Sequence, residues 1–189
     1  MNRSAKQSEL FELTLPITSW RPDETLFSLC SRYHCIAGNA LARTSALQLF
    51  GHSRNGTQHD LPARIDMFVE RTHGAFGLTA EDIIRTHTLL PFYLPWRSPE
   101  ETSNALRCLA GEQMGTVKQQ LGLLASRFRA HHPLKACTAC CNDDRACFGA
   151  AHWHLSHQYP GVWICGKHDC ALKEAMYKSS GVGRFLWCL

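Results

Sequence analysis

The sequence lacks any apolar run that approaches the roughly 18 residues needed to cross a membrane. Its N-terminal segment also lacks the apolar core of a secretion signal, because Arg3, Lys6 and Glu9 alternate with polar side chains. The first absence argues against a helical membrane protein, and the second argues against export. We therefore expect a soluble protein located in the cytoplasm.

Several signatures of common enzyme classes are also missing. There is no glycine-rich phosphate-binding loop, no Gly-x-Ser-x-Gly nucleophile elbow and no internal repeat. With 189 residues, 44% of them hydrophobic and 19% charged, the composition is that of an ordinary globular protein. The formal net charge of +4 permits a nucleic-acid partner without requiring one.

Cysteine is abundant, with ten residues in the chain. In a reducing compartment, metal binding explains such a number better than disulfide bonds. Cys30, Cys35 and Cys108 are scattered through apolar, helix-like segments, and we interpret them as small buried hydrophobic residues. The remaining cysteines are clustered in the C-terminal third.

Two short motifs in that third predict a zinc site. Zinc in structural sites takes four Cys or His ligands in a tetrahedron, and a two-residue gap lets both ligands of a tight knuckle face one ion. The first motif is Cys137-Thr138-Ala139-Cys140, and the second is Cys165-Gly166-Lys167-His168. The 24 residues between the motifs leave room for a ribbon or a short helix. We predict one structural Zn²⁺ bound by Cys137, Cys140, Cys165 and His168.

Other candidate ligands are left out of this site. Cys141 is adjacent to Cys140 and would point away from the knuckle, and Cys147 and Cys170 have no partner at ligand spacing. Three histidines are more often packing or surface residues than ligands of a second metal. These histidines are His152, His154 and His157. Four protein ligands leave no open position on the ion, so we expect no enzymatic activity. An HNH-type zinc nuclease, in which the same histidines supply a base and ligands, remains an alternative.

Apolar periodicity predicts a mainly α-helical fold. The predicted helices cover residues 24–37, 41–50, 61–71, a segment from Thr79, 98–111 and 115–129. Asp23 is the expected cap of the first helix, and Thr79 and Ser98 are expected to begin capping boxes. Residues 90–96 contain two prolines and are predicted to cross the helical core without regular helix.

The first two predicted helices are joined by Gly38-Asn39 and could form a helix-turn-helix. The second helix would then present Arg43, Thr44 and Gln48 to a DNA groove. The alternative is an ordinary helical hairpin with a solvated polar face.

Three segments of the sequence resemble the TniQ/TnsD family of transposon target-selection proteins. They are Glu24–Arg32, His87–Trp96, and the stretch from Cys137 to His168 with Trp153-His154 and Pro160-Gly161-Val162 between its knuckles. The resemblance runs from about Leu15 to Leu172. It implies a helix-turn-helix lobe, a zinc finger with ligands at the four positions above, recognition of attachment-site DNA, and recruitment of an AAA+ ATPase regulator.

We divide the chain on this basis into a flexible leader (1–14), a helix-turn-helix lobe (15–130), a zinc-finger or zinc-ribbon module (131–178) and a tail (179–189). Members of the family commonly continue into a second zinc ribbon. The apolar tail is therefore expected to be the beginning of a further region, unless the protein is a compact member.

Two functional hypotheses follow. In the first, the zinc module holds His152, His154, His157 and Lys167 on a platform that contacts phosphates of double-stranded DNA, while the second helix probes bases. In the second, the chain is an adaptor that links an RNA-guided effector complex to the transposition machinery.

Overall fold

A computed structural model describes residues 15–111, 114–123, 133–175 and 184–186. These residues are mainly helical, with one two-stranded antiparallel sheet. The elements are α1 (Leu26–Ile36), α2 (Ala42–Phe50), α3 (Ile65–Arg71), α4 (Ala80–His87), α5 (Leu90–Tyr93), α6 (Pro99–Ala110), α7 (Met114–Gln120), β1 (Lys135–Ala136), α8 (Thr138–Phe148), α9 (Leu155–Gln158) and β2 (Lys173–Glu174). The predicted leader, the end of the predicted 115–129 helix and most of the predicted tail lie outside the described residues.

The first two helices begin and end close to their predicted bounds. Thr25, not Asp23, caps α1, and its hydroxyl accepts the amide of Ser28 at 3.1 Å. The prediction of Asp23 was wrong because that residue has a φ of +56° and its carboxylate accepts the amide of Ser156 instead. Gly51 ends α2 in the left-handed conformation that glycine adopts without strain.

Both predicted capping boxes are confirmed. Thr79 and Asp82 exchange side-chain-to-backbone hydrogen bonds at the start of α4, and Ser98 and Glu101 do so at the start of α6. Helix α3 begins later than predicted, at Ile65, because Arg64 immediately before it has a φ of +61° and interrupts the helical path.

The segment with two prolines departs from its prediction. Residues 90–93 form a single helical turn, α5, because Pro91 sits in the first turn, where the missing amide has no intrahelical partner to lose. Leu90 is fully buried, whereas Trp96 is 92% exposed. The segment therefore contributes to the core at one end and presents a large aromatic ring at the other.

One hydrophobic core connects the N-terminal helices with the C-terminal part of the described chain. It includes Phe27 and Leu29 of α1, Phe68 of α3, Trp153 and Phe185. Cys30 and Cys108 are buried as predicted, but Cys35 is exposed, so that part of the interpretation was wrong. The boundary between lobe and zinc module near residue 131 stays a prediction.

The start of α1 is hydrogen-bonded to the segment between α8 and α9. The amide of Thr25 donates to the carbonyl of Trp153 at 3.0 Å, and the amide of Leu155 donates to the carbonyl of Asp23 at 2.6 Å. Ser28 accepts the amide of Trp153 at 3.0 Å. These bonds hold residues 152–155 against residues 22–25.

Within the described residues, none of the helices combines the length and the apolar character needed to cross a bilayer. Helices α1 and α2 are neighbours joined by a short connection that includes Gly38 in the left-handed conformation. Their use as a DNA-reading helix-turn-helix stays a prediction.

Candidate metal centre

The four predicted zinc ligands lie together in the structure. Their ligand atoms are all within 4.8 Å of one another, and the three cysteines are buried. The sulfur of Cys140 lies 3.6 Å from that of Cys165 and 3.2 Å from Nδ1 of His168. The same nitrogen lies 3.6 Å from the sulfur of Cys137 and 3.7 Å from that of Cys165.

Two local structures supply the ligands. Cys137 caps α8, and its sulfur accepts the amide of Cys140 at 3.4 Å. The sulfur of Cys140, in the first turn of the same helix, joins it in the cluster. Burial raises the pKa of Cys137, but hydrogen bonds to its sulfur outweigh this effect and the net shift is downward. Cys165 and His168 come from a turn closed by the amide of Asp169, which donates to the carbonyl of Cys165 at 2.9 Å.

The geometry fits a tetrahedral ion. With bonds of about 2.3 Å to sulfur, neighbouring sulfur ligands of one zinc ion are about 3.8 Å apart, close to the separations in this cluster. Three thiols and one imidazole are also the donor set that zinc prefers in structural sites. The cluster could therefore hold a metal ion such as zinc.

A carboxylate orients the histidine of this cluster. Oδ2 of Asp143 lies 3.2 Å from Nε2 of His168, which leaves Nδ1 facing the thiols. Lys167 binds the same carboxylate oxygen at 2.5 Å, and this hydrogen bond is the main cause that lowers the pKa of Asp143. Metal-binding histidines commonly donate their other nitrogen in this way. Asp143 was missed in the sequence, although its spacing of three residues from Cys140 places both on one side of a helix.

Two further residues lie beside the thiols. The sulfur of Cys170, which had no partner at ligand spacing in the sequence, is 3.2 Å from the sulfur of Cys137. Nε2 of His157 is 3.8 Å from the sulfur of Cys140. Burial and the neighbouring His154 lower the pKa of His157 to about 4.

The predicted DNA-contact residues fall into exposed and buried groups. Arg43, Thr44 and Lys167 are exposed. Gln48 is partly exposed, and its side-chain oxygen accepts hydrogen bonds from Tyr33 and Asn39.

The three histidines of this set have less access to solvent. His152 and His157 are buried, and His154 is half-buried. The two buried side chains offer almost no surface to a DNA backbone in this conformation. DNA contact stays a prediction for the whole set.

Comparison with known proteins identifies the family of this chain. The sequence model of TniQ matches residues 17–172, which include all four clustered ligands. The chain is also similar to the Transposon Tn7 transposition protein TnsD of Escherichia coli, with 23% identity over 146 residues. The similar region covers 77% of this chain and 29% of that protein, so this chain spans less than a third of the relative's length.

Proposed function

We propose that this chain, which belongs to the TniQ family, is a transposition targeting protein that binds attachment-site DNA and recruits the transposon's AAA+ ATPase regulator. The observation that carries the proposal is the family match over residues 17–172. Similarity to a transposition protein supports the same role. In this role the chain is a binding protein and performs no chemistry itself.

One structural zinc ion, held by Cys137, Cys140, Cys165 and His168, belongs to this proposal. Four protein ligands close the coordination shell, so the ion stabilises the fold and activates no water. By fixing the start of α8 to the turn at residues 165–168, zinc would give the C-terminal part a rigid surface. Lys167 lies on this turn and is exposed.

DNA contacts are assigned in the proposal to exposed residues. Arg43 and Thr44 lie in the first turn of α2 and can reach phosphates or base edges. Lys167 is a further phosphate contact, although it must exchange its bond to Asp143 for one to DNA. Gln48 and His154 are secondary candidates, because both are partly covered.

A mobility-shift assay tests DNA binding directly. The full chain, with its zinc content measured, is titrated against attachment-site and random duplexes at two salt concentrations. Preferential binding to the attachment site that weakens with salt is expected, because phosphate contacts release counterions. The absence of a shift on both duplexes at low salt would refute direct DNA recognition by this chain.

An adaptor role is a second candidate, favoured by an exposed aromatic pair. Trp96 is 92% exposed and Phe92, four residues earlier, is 43% exposed, and aromatic side chains are enriched where proteins contact partners. In this alternative the pair contacts an RNA-guided effector complex that reads the sequence. Pull-down of the effector from nuclease-treated extract would support the adaptor role. Loss of effector binding in Trp96→Ser would show that Trp96 is part of the contact.

A further inference from the structure

A second group of potential metal ligands lies outside the cysteine cluster. It consists of Asp144 on α8 and of His152 and His154 in the segment before α9. Oδ2 of Asp144 lies 3.2 Å from Nδ1 of His152 and 2.9 Å from Nε2 of His154. Their ligand atoms all lie within 4.8 Å of one another, and Asp144 and His152 are buried.

The hydrogen bonding of His152 leaves a lone pair directed at this group. Its Nε2 lies 2.8 Å from the carbonyl oxygen of Pro22, which can only accept, so Nε2 carries the proton. In the neutral ring Nδ1 is then an acceptor. Nδ1 is buried and has no hydrogen bond, yet it lies 3.2 Å from the carboxylate of Asp144, a second acceptor. Two acceptors facing each other in a buried place require a cation or an additional proton.

His154 lies between two carboxylates, and its shorter contact is the hydrogen bond between Nε2 and Oδ2 of Asp144 at 2.9 Å. Its Nδ1 lies 3.5 Å from Oδ2 of Asp23. An ion bound at Nε2 would replace the bond to Asp144 and move the ring proton to Nδ1, on the side of Asp23. Each histidine thus has its outer nitrogen beside an acceptor at residues 22–23 and its inner nitrogen beside one carboxylate oxygen. Outer nitrogens held by a carbonyl or carboxylate are a regular feature of histidines that bind metals.

We propose that Asp144, His152 and His154 bind a second divalent metal ion of the zinc class, separate from the ion at the cysteine cluster. The ligands are two imidazole nitrogens and one carboxylate oxygen, a donor set that suits zinc. Three protein ligands leave a fourth position for water. Of the three ligands, His154 lines an open depression of about 560 Å³, together with Asp23 and His157.

The distances are compatible with such an ion. Tetrahedral bonds of about 2.0 to 2.1 Å place neighbouring ligand atoms about 3.4 Å apart, a few tenths of an ångström beyond the present separations. The ion would also link α8 to the loop before α1, because Pro22 and Asp23 of that loop contact the outer nitrogens of His152 and His154. This role is independent of whether the chain binds DNA.

Metal analysis of the full chain tests the proposal. After zinc loading and removal of weakly bound metal, the wild type should hold two zinc ions per chain. Asp144→Asn and His154→Gln should hold one. His73→Gln changes an exposed histidine far from any ligand in sequence and should still hold two. One zinc ion in the wild type, or two in both ligand variants, would overturn the proposal.

Cobalt spectroscopy of the wild type gives a readout that needs no variant. With the cysteine cluster already filled by zinc, one equivalent of Co²⁺ should bind the wild type and produce visible absorption without a thiolate charge-transfer band. His154→Gln should lose this absorption. Failure of the wild type to bind Co²⁺, or the appearance of a thiolate band, would refute the second site.

Discussion

The carboxylate of Glu24 accepts two hydrogen bonds from the guanidinium of Arg32, at 2.8 Å from Nε and 2.7 Å from Nη2. Both side chains are buried, and the carboxylate also accepts the hydroxyl of Ser28 at 2.9 Å and the amide of Arg21 at 3.0 Å. The pair joins the loop before α1 to the body of that helix. The motif Glu24–Arg32, which carries part of the family resemblance, therefore has a structural role here.

Removing the guanidinium should destabilise the protein strongly. Arg32→Met leaves the Glu24 carboxylate buried without its partner, and we expect the free energy of unfolding to fall by roughly 3 to 5 kcal/mol. Arg32→Lys should have an intermediate effect, because an ammonium cannot bind both carboxylate oxygens side by side. Urea denaturation of zinc-loaded protein measures both changes.

The matched control for this pair is Arg85→Met. Arg85 pairs with Glu81 at 2.8 Å, but both side chains are exposed, and exposed pairs contribute at most about 1 kcal/mol. Equal effects of Arg32→Met and Arg85→Met would contradict the importance of the buried pair.

Loss of one cysteine ligand should remove the structural zinc and destabilise the C-terminal part. In Cys165→Ser the zinc content should fall by one ion per chain and the melting temperature should decrease, because metal binding contributes directly to folding. Atomic emission and thermal denaturation measure the two quantities. Cys147→Ser changes an exposed cysteine on α8 and should leave both unchanged. Unchanged zinc content in Cys165→Ser would refute the assignment of that ligand.

The carboxylate behind His168 should tune the affinity for zinc. Asp143→Asn removes the charge that orients the imidazole, and we expect a loss of about 10- to 100-fold in zinc affinity with the fold retained. Competition with a chromogenic chelator provides the measurement, and Asp66→Asn on α3 is the exposed carboxylate control. Identical affinities for the two variants would show that Asp143 has no such role.

The pair of Asp60 and Lys118 predicts a particular pH dependence. Burial raises the pKa of Asp60, but the charges of Lys118 and His59 and the hydrogen bonds from Lys118, at 2.6 Å, and from the amide of Leu61 together outweigh it, and the net shift is downward. The stability from this pair is therefore present above the unfolded pKa of about 4 and is lost as the pH falls through the folded pKa.

In Lys118→Met the buried carboxylate loses its partner. We expect a destabilisation of roughly 3 kcal/mol at pH 7, at the low end for a buried pair because Lys118 is partly exposed. The difference from wild type should shrink between pH 7 and pH 4, because the unpaired carboxyl group becomes protonated. Urea denaturation across this range measures it, and a difference independent of pH would contradict the electrostatic explanation.

Single phosphate contacts should be visible in the salt dependence of DNA binding. If Arg43 contacts a phosphate, Arg43→Ala should weaken binding to all duplexes and reduce the slope of log K against log salt by about 1. Arg85→Ala removes an equal charge from α4 and should leave the slope nearly unchanged. Fluorescence anisotropy titrations provide both slopes. An unchanged slope in Arg43→Ala would remove this residue from the interface.

The cluster of three cysteines and one histidine was predictable because the pattern that indicates it is local in sequence. Two ligands separated by two residues form a knuckle wherever the fold places it, and the capping boxes at Thr79 and Ser98 are equally local. Asp143 lies close to these ligands in sequence too, but acidic residues are common on solvated helix faces with no metal nearby. Its pairing with His168 depends on where the second knuckle packs.

The features that could not be predicted depend on contacts between residues far apart in the sequence. Asp23 bonds to Ser156 instead of capping α1, and this bond joins residues 133 positions apart. His152 is turned inward because its ring nitrogen meets the carbonyl of Pro22, which is similarly distant in sequence. The sequence does not distinguish a histidine on an exposed surface from a histidine inside the protein. The burial of His152 was therefore known only from the structure.

Recruitment on DNA tests the proposed function most directly. An attachment-site duplex is immobilised, and retention of the AAA+ ATPase regulator from the same transposon is measured with and without the zinc-loaded chain. We expect retention that depends on the chain, decreases with salt and is lost with Cys165→Ser. Equal retention of the ATPase with and without the chain would contradict the proposed role.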